Sequence, residues 1–375
     1  MRVAKDFEDG VVRRVRVLDG AGDVVVPVDR FLSHLIDSNY SPNTVCAYAY
    51  DLRHLAVFLD ERGLEWNDFR PPTSLEFLAY LRRVPSRRPA QRLGLTVAAV
   101  QGRLLSAATV QRVLAATSSF FEWAIAAEQY TAGENPMQRR VDHALGKVPD
   151  RHQPFVGAAS RQQPVRRTVR VRLPLRLPRP MADQDVDALL ASITSLRDLA
   201  IYLLMLDGGL RPGEVLCLKL PDVSYGRRRV TIRKSDDHPR GARAKGRHER
   251  VVDLHEPRTL DAVNRYVLHE RPIDTESPFV FLVGGRGTRR CEPLSYPALA
   301  RGFARRLDRL GIRTPETTPH ALRHTHATAM WEGGMRELAL QKRLGHASPE
   351  SIRIYTRVSD EQVLADYDHA LRDRP

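Results

Sequence analysis

The sequence is poor in features that mark several common classes of protein. It has only 3 cysteines, Cys46, Cys217 and Cys291, and no two of them have the CxxC spacing. A disulfide framework or a cysteine zinc site is therefore not expected. The longest apolar run covers only residues 199–206, far short of the ~20 residues that a membrane-spanning helix needs. The first ten residues carry no apolar signal-peptide core, so we expect a soluble intracellular protein.

Acidic residues are in deficit as well. Lys and Arg total 59 against 45 Asp and Glu, which gives a net charge of +14. Such an excess favours nucleic acid as a partner, because phosphates attract Lys and Arg whatever the base sequence. An anionic membrane surface would also satisfy the charge, but the chain has no segment that could insert. The 375 residues, 42% of them hydrophobic, suffice for two or three domains at roughly 150 residues each.

Helical periodicity dominates residues 28–130. The pair Ser41-Pro42 indicates a helix start, and the apolar residues that follow it recur at spacings of three and four. Thr73 and Glu76 have the spacing of a capping box, and Ser106 is predicted to begin a third long helix. We predict an all-helical domain at 28–130, preceded by an N-terminal extension at 1–27 that is strand-like at best and closed by Pro27.

The composition changes between Pro149 and Pro180. These 32 residues hold six prolines and eight arginines but one acid, Asp150. Because proline disfavours helix interiors and central strands, we predict an extended basic linker, placed at 131–182. The segment is either a solvated tether or a strap along a DNA backbone.

Residues 183–375 show a mixed pattern. Helices are predicted at 183–193, 196–207, 258–270 and 296–310, and strands at 229–234, 249–254 and 279–283. A further helical run begins at Pro319 and is broken at Gly333-Gly334, Gly345 and Val358. The predicted fold class is multi-domain and mainly α with a small β-sheet: a helical domain, a basic linker and an α+β domain.

Six residues of the α+β domain could together act on a phosphodiester: Arg211, Lys245, His320, Arg323, His346 and Tyr355. Two guanidinium groups can hold the non-bridging oxygens of a pentacoordinate phosphorus, and histidines can donate hydrogen bonds or move protons. A lysine can protonate the departing 5′ oxygen, and a tyrosine can attack phosphorus reversibly. This chemistry requires no metal and no cofactor. Glu214 is interpreted as the residue that orients an arginine or as a helix-start charge.

The motifs around these residues resemble those of the tyrosine recombinases, or phage integrases. They are GGLRPGE at 208–214, HALRHTHAT at 320–328, and LGHAS at 344–348 followed by Tyr355. The resemblance covers about 183–365, with the helical domain matching the family's core-binding domain. It implies that Arg211 and Arg323 bind the phosphate, that Tyr355 is the nucleophile, and that Lys245, His320 and His346 complete the site.

The resemblance also implies an activity and partners. The expected enzyme is a site-specific DNA recombinase that uses neither metal nor ATP and forms a 3′-phosphotyrosyl intermediate. Its partner is double-stranded DNA, bound by a homo-tetramer on two DNA sites, with no membrane partner and a cytoplasmic, nucleoid-associated location. The target sequence and the accessory proteins are not indicated.

Several alternatives stay open. Gly208 stands where the family usually has threonine, and a long loop at 235–244 separates the two strands around the lysine, so Lys234 competes with Lys245. We prefer Lys245, since AKGRHER matches the family's lysine turn. A type IB topoisomerase, a non-catalytic DNA-binding protein and a basic metallohydrolase are the rival functions. A zinc site is disfavoured because Ala321 replaces the glutamate of HExxH; His324 and His326 are expected to be core or supporting residues.

Overall fold

The computed structural model describes residues 1–8, 11–86, 104–137, 139–141, 165–167, 169, 171, 180–244, 249–314 and 317–345. The chain forms two compact units, Met1–Leu175 and Arg176–Pro375. Each unit has a hydrophobic core of its own. No helix of the described residues is long and apolar enough to cross a membrane.

The first unit combines a β-hairpin with a set of helices. The Ser41 hydroxyl accepts a hydrogen bond from the Thr44 backbone N–H at 3.1 Å, and the Ser106 hydroxyl accepts one from Thr109 at 3.2 Å. Both predicted helix starts are confirmed. The elements of this unit are β1 (Arg2–Glu8), β2 (Val11–Leu18), α1 (Val26–Asp37), α2 (Pro42–Asp60), α3 (Pro71–Leu81), α4 (Ala107–Ala126), β3 (Arg139–Val141) and β4 (Val165–Arg167).

The capping box predicted at Thr73 and Glu76 is wrong. Helix α3 begins at Pro71, two residues earlier, because a proline at the first helical position has the φ of a helix and loses no hydrogen bond there. The Glu76 carboxylate lies 3.6 Å from the Arg62 guanidinium instead of closing a cap.

The residues predicted as an N-terminal extension form strands that pack on the helices. Strands β1 and β2 pair antiparallel, and Val15 and Val17 of β2 are buried in the same core as Phe31 of α1. Pro27 does not close a strand as predicted: it lies in the first turn of α1, where proline is tolerated.

Most of the predicted linker lies outside the described residues. Within it, β3 and β4 form an antiparallel pair, and Val169 is buried in the core of the first unit. These parts of the segment therefore belong to the first unit instead of extending away from it. The interpretation of its arginines as a DNA strap stays a prediction, because their side chains are not described.

The second unit is an α+β structure built around a three-stranded antiparallel sheet. The strand order is β5-β6-β7, and Val230 of β6 is opposite Val252 of β7, both of them buried. The four helices predicted between 183 and 310 agree with the structure to within two residues at each end, and the predicted breaks at Gly333-Gly334 and Gly345 follow the ends of two further helices. The break predicted at Val358 lies outside the described residues. The elements are α5 (Asp183–Ala191), α6 (Leu196–Leu206), α7 (Pro212–Leu216), β5 (Val223–Ser224), β6 (Arg229–Ile232), β7 (Arg250–Asp253), α8 (Pro257–His269), α9 (Tyr296–Arg309), α10 (His320–Glu332) and α11 (Glu337–Leu344).

The strand predicted at 279–283 is wrong. Residues 279–282 are buried and Val283 is half-buried, but within the described residues this segment makes only isolated bridges, Lys219 with Phe279 and Leu282 with Pro293. A short apolar run is equally compatible with any buried extended segment. Here the pairing ends because Gly284 turns the chain with φ +69° and Ser295 is the N-cap of α9.

Candidate active site

Arg211 lies at the N-terminal cap of the short helix α7, directly after a glycine turn that ends α6. Gly209 has φ +66°, and a Cβ there would lie 2.4 Å from the His326 ring. A Cβ at Gly208 would lie 2.7 Å from the Leu204 carbonyl oxygen. This crowding explains the glycine at 208, because this backbone has no room for the family's threonine.

Glu214 is the centre of the charge network around Arg211. It is only 2% exposed, and one carboxylate oxygen accepts the Arg211 backbone N–H at 2.8 Å while the other accepts Arg211 Nη1 at 2.7 Å. Both predicted roles of Glu214 are confirmed: it caps the helix start and orients the arginine.

Two further guanidinium groups face Glu214. Arg250, the first residue of β7, donates from Nη1 to Oε1 at 3.0 Å and from Nη2 to Oε2 at 2.7 Å. This is the bidentate geometry in which an arginine holds a carboxylate most firmly. Arg323 Nη1 lies 3.8 Å from Oε2. One buried carboxylate therefore faces three arginines.

The charge state of Glu214 follows from these neighbours. Burial, the largest single influence, raises the pKa of the carboxyl group, but the hydrogen bonds and charge of Arg250 together with the charges of Arg323 and Arg211 outweigh it. The net result lowers the pKa of Glu214 to about 2. The carboxylate is thus a fixed negative charge that stays ionised at neutral pH.

Arg323 lies on α10, one turn after His320, which is the first residue of that helix. Its guanidinium is buried and donates to the Gly209 carbonyl oxygen at 2.6 Å and to the Leu344 carbonyl oxygen at 2.7 Å. The His320 side chain reaches the surface, but partial desolvation followed by the charges of Arg323 and Arg211 lowers its pKa. A neutral imidazole is therefore favoured beside the two arginines.

All three arginines donate hydrogen bonds to the C-terminal end of α11. Three successive carbonyl oxygens accept hydrogen bonds: that of Arg343 from Arg250 Nε at 3.1 Å, that of Leu344 from Arg323 at 2.7 Å, and that of Gly345 from Arg211 Nη2 at 3.2 Å. These carbonyls lack intrahelical partners and carry the negative end of the helix dipole. Cations are therefore stabilised at this end of the helix. Its last residue, Leu344, is also the first residue of the third motif.

The structure thus brings Arg211, Arg323 and His320 of the predicted site together. The other three predicted residues, Lys245, His346 and Tyr355, lie outside the described residues. Lys234, the alternative to Lys245, is exposed just after β6. No group of three or more His, Cys, Asp or Glu side chains that could hold a metal ion occurs in the described ranges.

The sequence reasoning missed Arg250. A usable signal was present: Arg250 shares its strand face with Val252 and Leu254, which are both buried. An arginine on the buried face of a strand requires an acidic partner. The supporting role expected for His326 is confirmed, since it is buried, lies 2.8 Å from the Leu206 carbonyl oxygen through Nδ1 and accepts a hydrogen bond from Arg343 Nε at 3.0 Å.

Two guanidinium groups fixed around an ionised carboxylate, with a neutral histidine beside them, define a site for an anion with several oxygens. Two models of known families match the chain. The phage integrase family matches residues 179–362, and the N-terminal SAM-like domain of phage integrases matches residues 28–128. Both arginines and His320 lie inside the first match.

Individual relatives agree with the family models. Transposase A from transposon Tn554 of Staphylococcus aureus is 27% identical over 358 residues, which cover 95% of this chain and 93% of the relative. Tyrosine recombinase XerC of Chlamydia pneumoniae is 26% identical over 90% of this chain and 95% of its own. The fold is similar to that of the Tn1549 transposon integrase in complex with transposon right end DNA, with a TM-score of 0.63 at 16% identity over 92% of this chain and 98% of the other.

The chain belongs to the phage integrase family of tyrosine recombinases. It is a site-specific recombinase, an enzyme that cuts and rejoins DNA.

Proposed function

We propose that the enzyme cleaves one strand of double-stranded DNA by attack of the Tyr355 hydroxyl oxygen on the scissile phosphorus. The P–O5′ bond breaks, a 3′-phosphotyrosyl bond forms, the tyrosine proton passes to the neutral His320, and the 5′ oxygen leaves with a proton from Lys245. The 5′ hydroxyl of a partner strand then attacks the same phosphorus and displaces the tyrosine. Every bond broken is replaced by a similar ester bond, so no external energy source is needed.

The observation that carries this proposal is the arrangement of Arg211 and Arg323 around Glu214. Because these guanidinium groups are fixed before substrate arrives, they can stabilise the extra charge that develops on the phosphate oxygens without reorganisation. His320, at the same end of α10, can donate a hydrogen bond or move a proton, and His346 is assigned a similar role from its motif.

Duplex DNA as the partner is supported by the net charge of +14 and by relatives of the same fold that were solved with DNA. We further propose a homo-tetramer on two DNA sites as the active assembly, because strand exchange needs two duplexes and one active site for each strand cut. Inverted or direct repeats in the DNA that flanks the gene would identify the recombination site.

A suicide duplex tests the proposal. It carries the sequence that flanks the gene and a nick beside the scissile phosphate, so cleavage releases a short fragment with the 5′ hydroxyl and traps the covalent adduct. We expect an adduct on a denaturing gel without added metal or ATP, and strand exchange between two labelled intact duplexes. Relaxation of a supercoiled plasmid without strand exchange would indicate a topoisomerase, and binding without an adduct would indicate a non-catalytic protein. Lys245→Ala should lose cleavage, with Lys234→Ala as its control.

A further inference from the structure

Arg250 occupies a position that the proposed reaction does not explain. It makes no predicted contact with DNA, yet its side chain is only 10% exposed and lies against the 1%-exposed side chain of Glu214. All three of its guanidinium nitrogens donate: two to Glu214 and Nε to the Arg343 carbonyl oxygen. A side chain with all three guanidinium nitrogens engaged holds its partners in one geometry.

The partners of Arg250 are the groups that position the phosphate site. Glu214 receives Arg211 on one oxygen, and Arg323 Nη1 lies 3.8 Å from the other. The turn at 343–345 supplies the carbonyl oxygens that accept from both of these arginines. Gly345 lies directly against the Arg250 guanidinium. It has φ +63°, and a Cβ there would lie 2.7 Å from Arg250 Nη1.

We propose that Arg250 is a positioning residue of the active site, which holds Glu214 and the 343–345 turn so that Arg211 and Arg323 face one phosphate. This proposal rests on the proposed function. Without the bidentate clamp, the Glu214 carboxylate can rotate and draw Arg211 and Arg323 inward as its substitute partners. The two guanidinium groups then no longer face the phosphate, although both arginines are still present.

The test compares Arg250→Lys and Arg250→Met with the wild-type enzyme on two suicide duplexes. One carries the ordinary scissile phosphate, and the other carries a neutral methylphosphonate there, which has no anionic charge for the arginines to balance. Lysine keeps the charge but cannot hold a carboxylate with a planar fork. Arg258→Met is the control, because Arg258 also holds a carboxylate with two hydrogen bonds, from Nε and Nη2 to Asp207 at 2.9 and 2.7 Å, but contacts neither Arg211 nor Arg323.

We expect both Arg250 variants to bind the duplex normally and to cleave the phosphate about 10²-fold more slowly, the effect of one lost transition-state donor. On the methylphosphonate the loss should shrink to less than about tenfold, and Arg258→Met should cleave both duplexes at wild-type rates. Equal losses on both duplexes together with a lower Tm would make Arg250 merely structural, and wild-type cleavage by Arg250→Met would also overturn the proposal. A wild-type enzyme that forms no adduct refutes the proposed function itself, and the Arg250 proposal with it.

Discussion

Each unit contains a deeply buried carboxylate, Asp51 in the first and Glu214 in the second, and these two behave in opposite ways. Asp51 of α2 is 3% exposed and Glu214 of α7 is 2% exposed. Asp51 pairs with Arg112 at 2.8 Å, and the Arg112 side chain is 58% exposed. Burial raises the pKa of Asp51 to about 6, with Arg112 opposing the shift only in part, whereas the pKa of Glu214 is lowered to about 2.

Burial alone therefore does not decide the charge of these groups. A guanidinium that lies mostly in water loses much of its attraction to screening, whereas guanidinium groups buried beside the carboxylate act at low dielectric. The first unit therefore holds a buried carboxyl group whose pKa lies near 6. The second unit fixes a full negative charge beside Arg211 and Arg323, the arginines proposed to bind phosphate.

The largest expected difference between the units concerns their buried arginines. Arg323→Ala should slow cleavage about 10²–10³-fold, because it removes a transition-state donor. Binding should change little, since one phosphate contact among many contributes modestly to affinity. Rates on the suicide duplex and gel shifts measure the two effects separately.

The control for Arg323→Ala is Arg53→Ala, which removes a buried arginine of the first unit. It should leave the cleavage rate of the bound enzyme within a few-fold of wild type. A parallel loss of binding and cleavage in Arg323→Ala would indicate misfolding and would contradict the assignment.

The sequence predicted those parts of the site in which the neighbouring residues are also close in sequence. Arg211 and Glu214 lie three residues apart across a helix start, and His320 and Arg323 lie one helical turn apart, so spacing alone indicated both pairs. Arg250 meets Glu214 across 36 residues of sequence, and no local spacing encodes this contact. For the same reason the sequence could not show that Val15 and Val17 pack into the helical core.

The second prediction concerns stability at pH 7. Glu214→Gln leaves buried arginines without their counter-charge and should reduce the free energy of unfolding of the second unit by about 3–5 kcal/mol. Asp51→Asn should leave the first unit equally stable or stabilise it by up to ~2 kcal/mol, because it removes a charge that the fold disfavours. Urea unfolding can be followed by tryptophan fluorescence for each unit, since Trp66 and Trp123 lie in the first and Trp331 in the second. A similar loss in both variants would refute the contrast.

The stability contributions of Asp51 and Glu214 should also depend on pH in opposite directions, with smaller effects. The folded pKa of Asp51 lies above its ordinary value of 3.8. Its contribution to the free energy of unfolding is therefore favourable at low pH and is lost as the pH rises from about 4 to about 6. The folded pKa of Glu214 lies below its ordinary value of 4.5. Its stabilising contribution to the free energy of unfolding is therefore complete above pH 4.5 and is lost as the pH falls toward 2.

Unfolding experiments across this pH range should separate the two windows. Asp51→Asn should flatten the decline in stability between about pH 4 and pH 6, and Glu214→Gln should flatten the decline below about pH 4.5. If the two variants changed the same window, the two carboxylates would not differ in the way described above.

The most direct test of the enzyme's mechanism is to identify the residue that becomes linked to DNA. Tyr355→Phe keeps the ring and removes only the oxygen, so it should fold and bind DNA but form no adduct. Tyr367→Phe, twelve residues further on, is the matched control and should still form it. The suicide duplex is incubated with each variant, and the DNA-linked peptide of the wild type is mapped. We predict a peptide that contains Tyr355; an adduct that persists in Tyr355→Phe, or a mapped peptide that contains Tyr367, would contradict the mechanism.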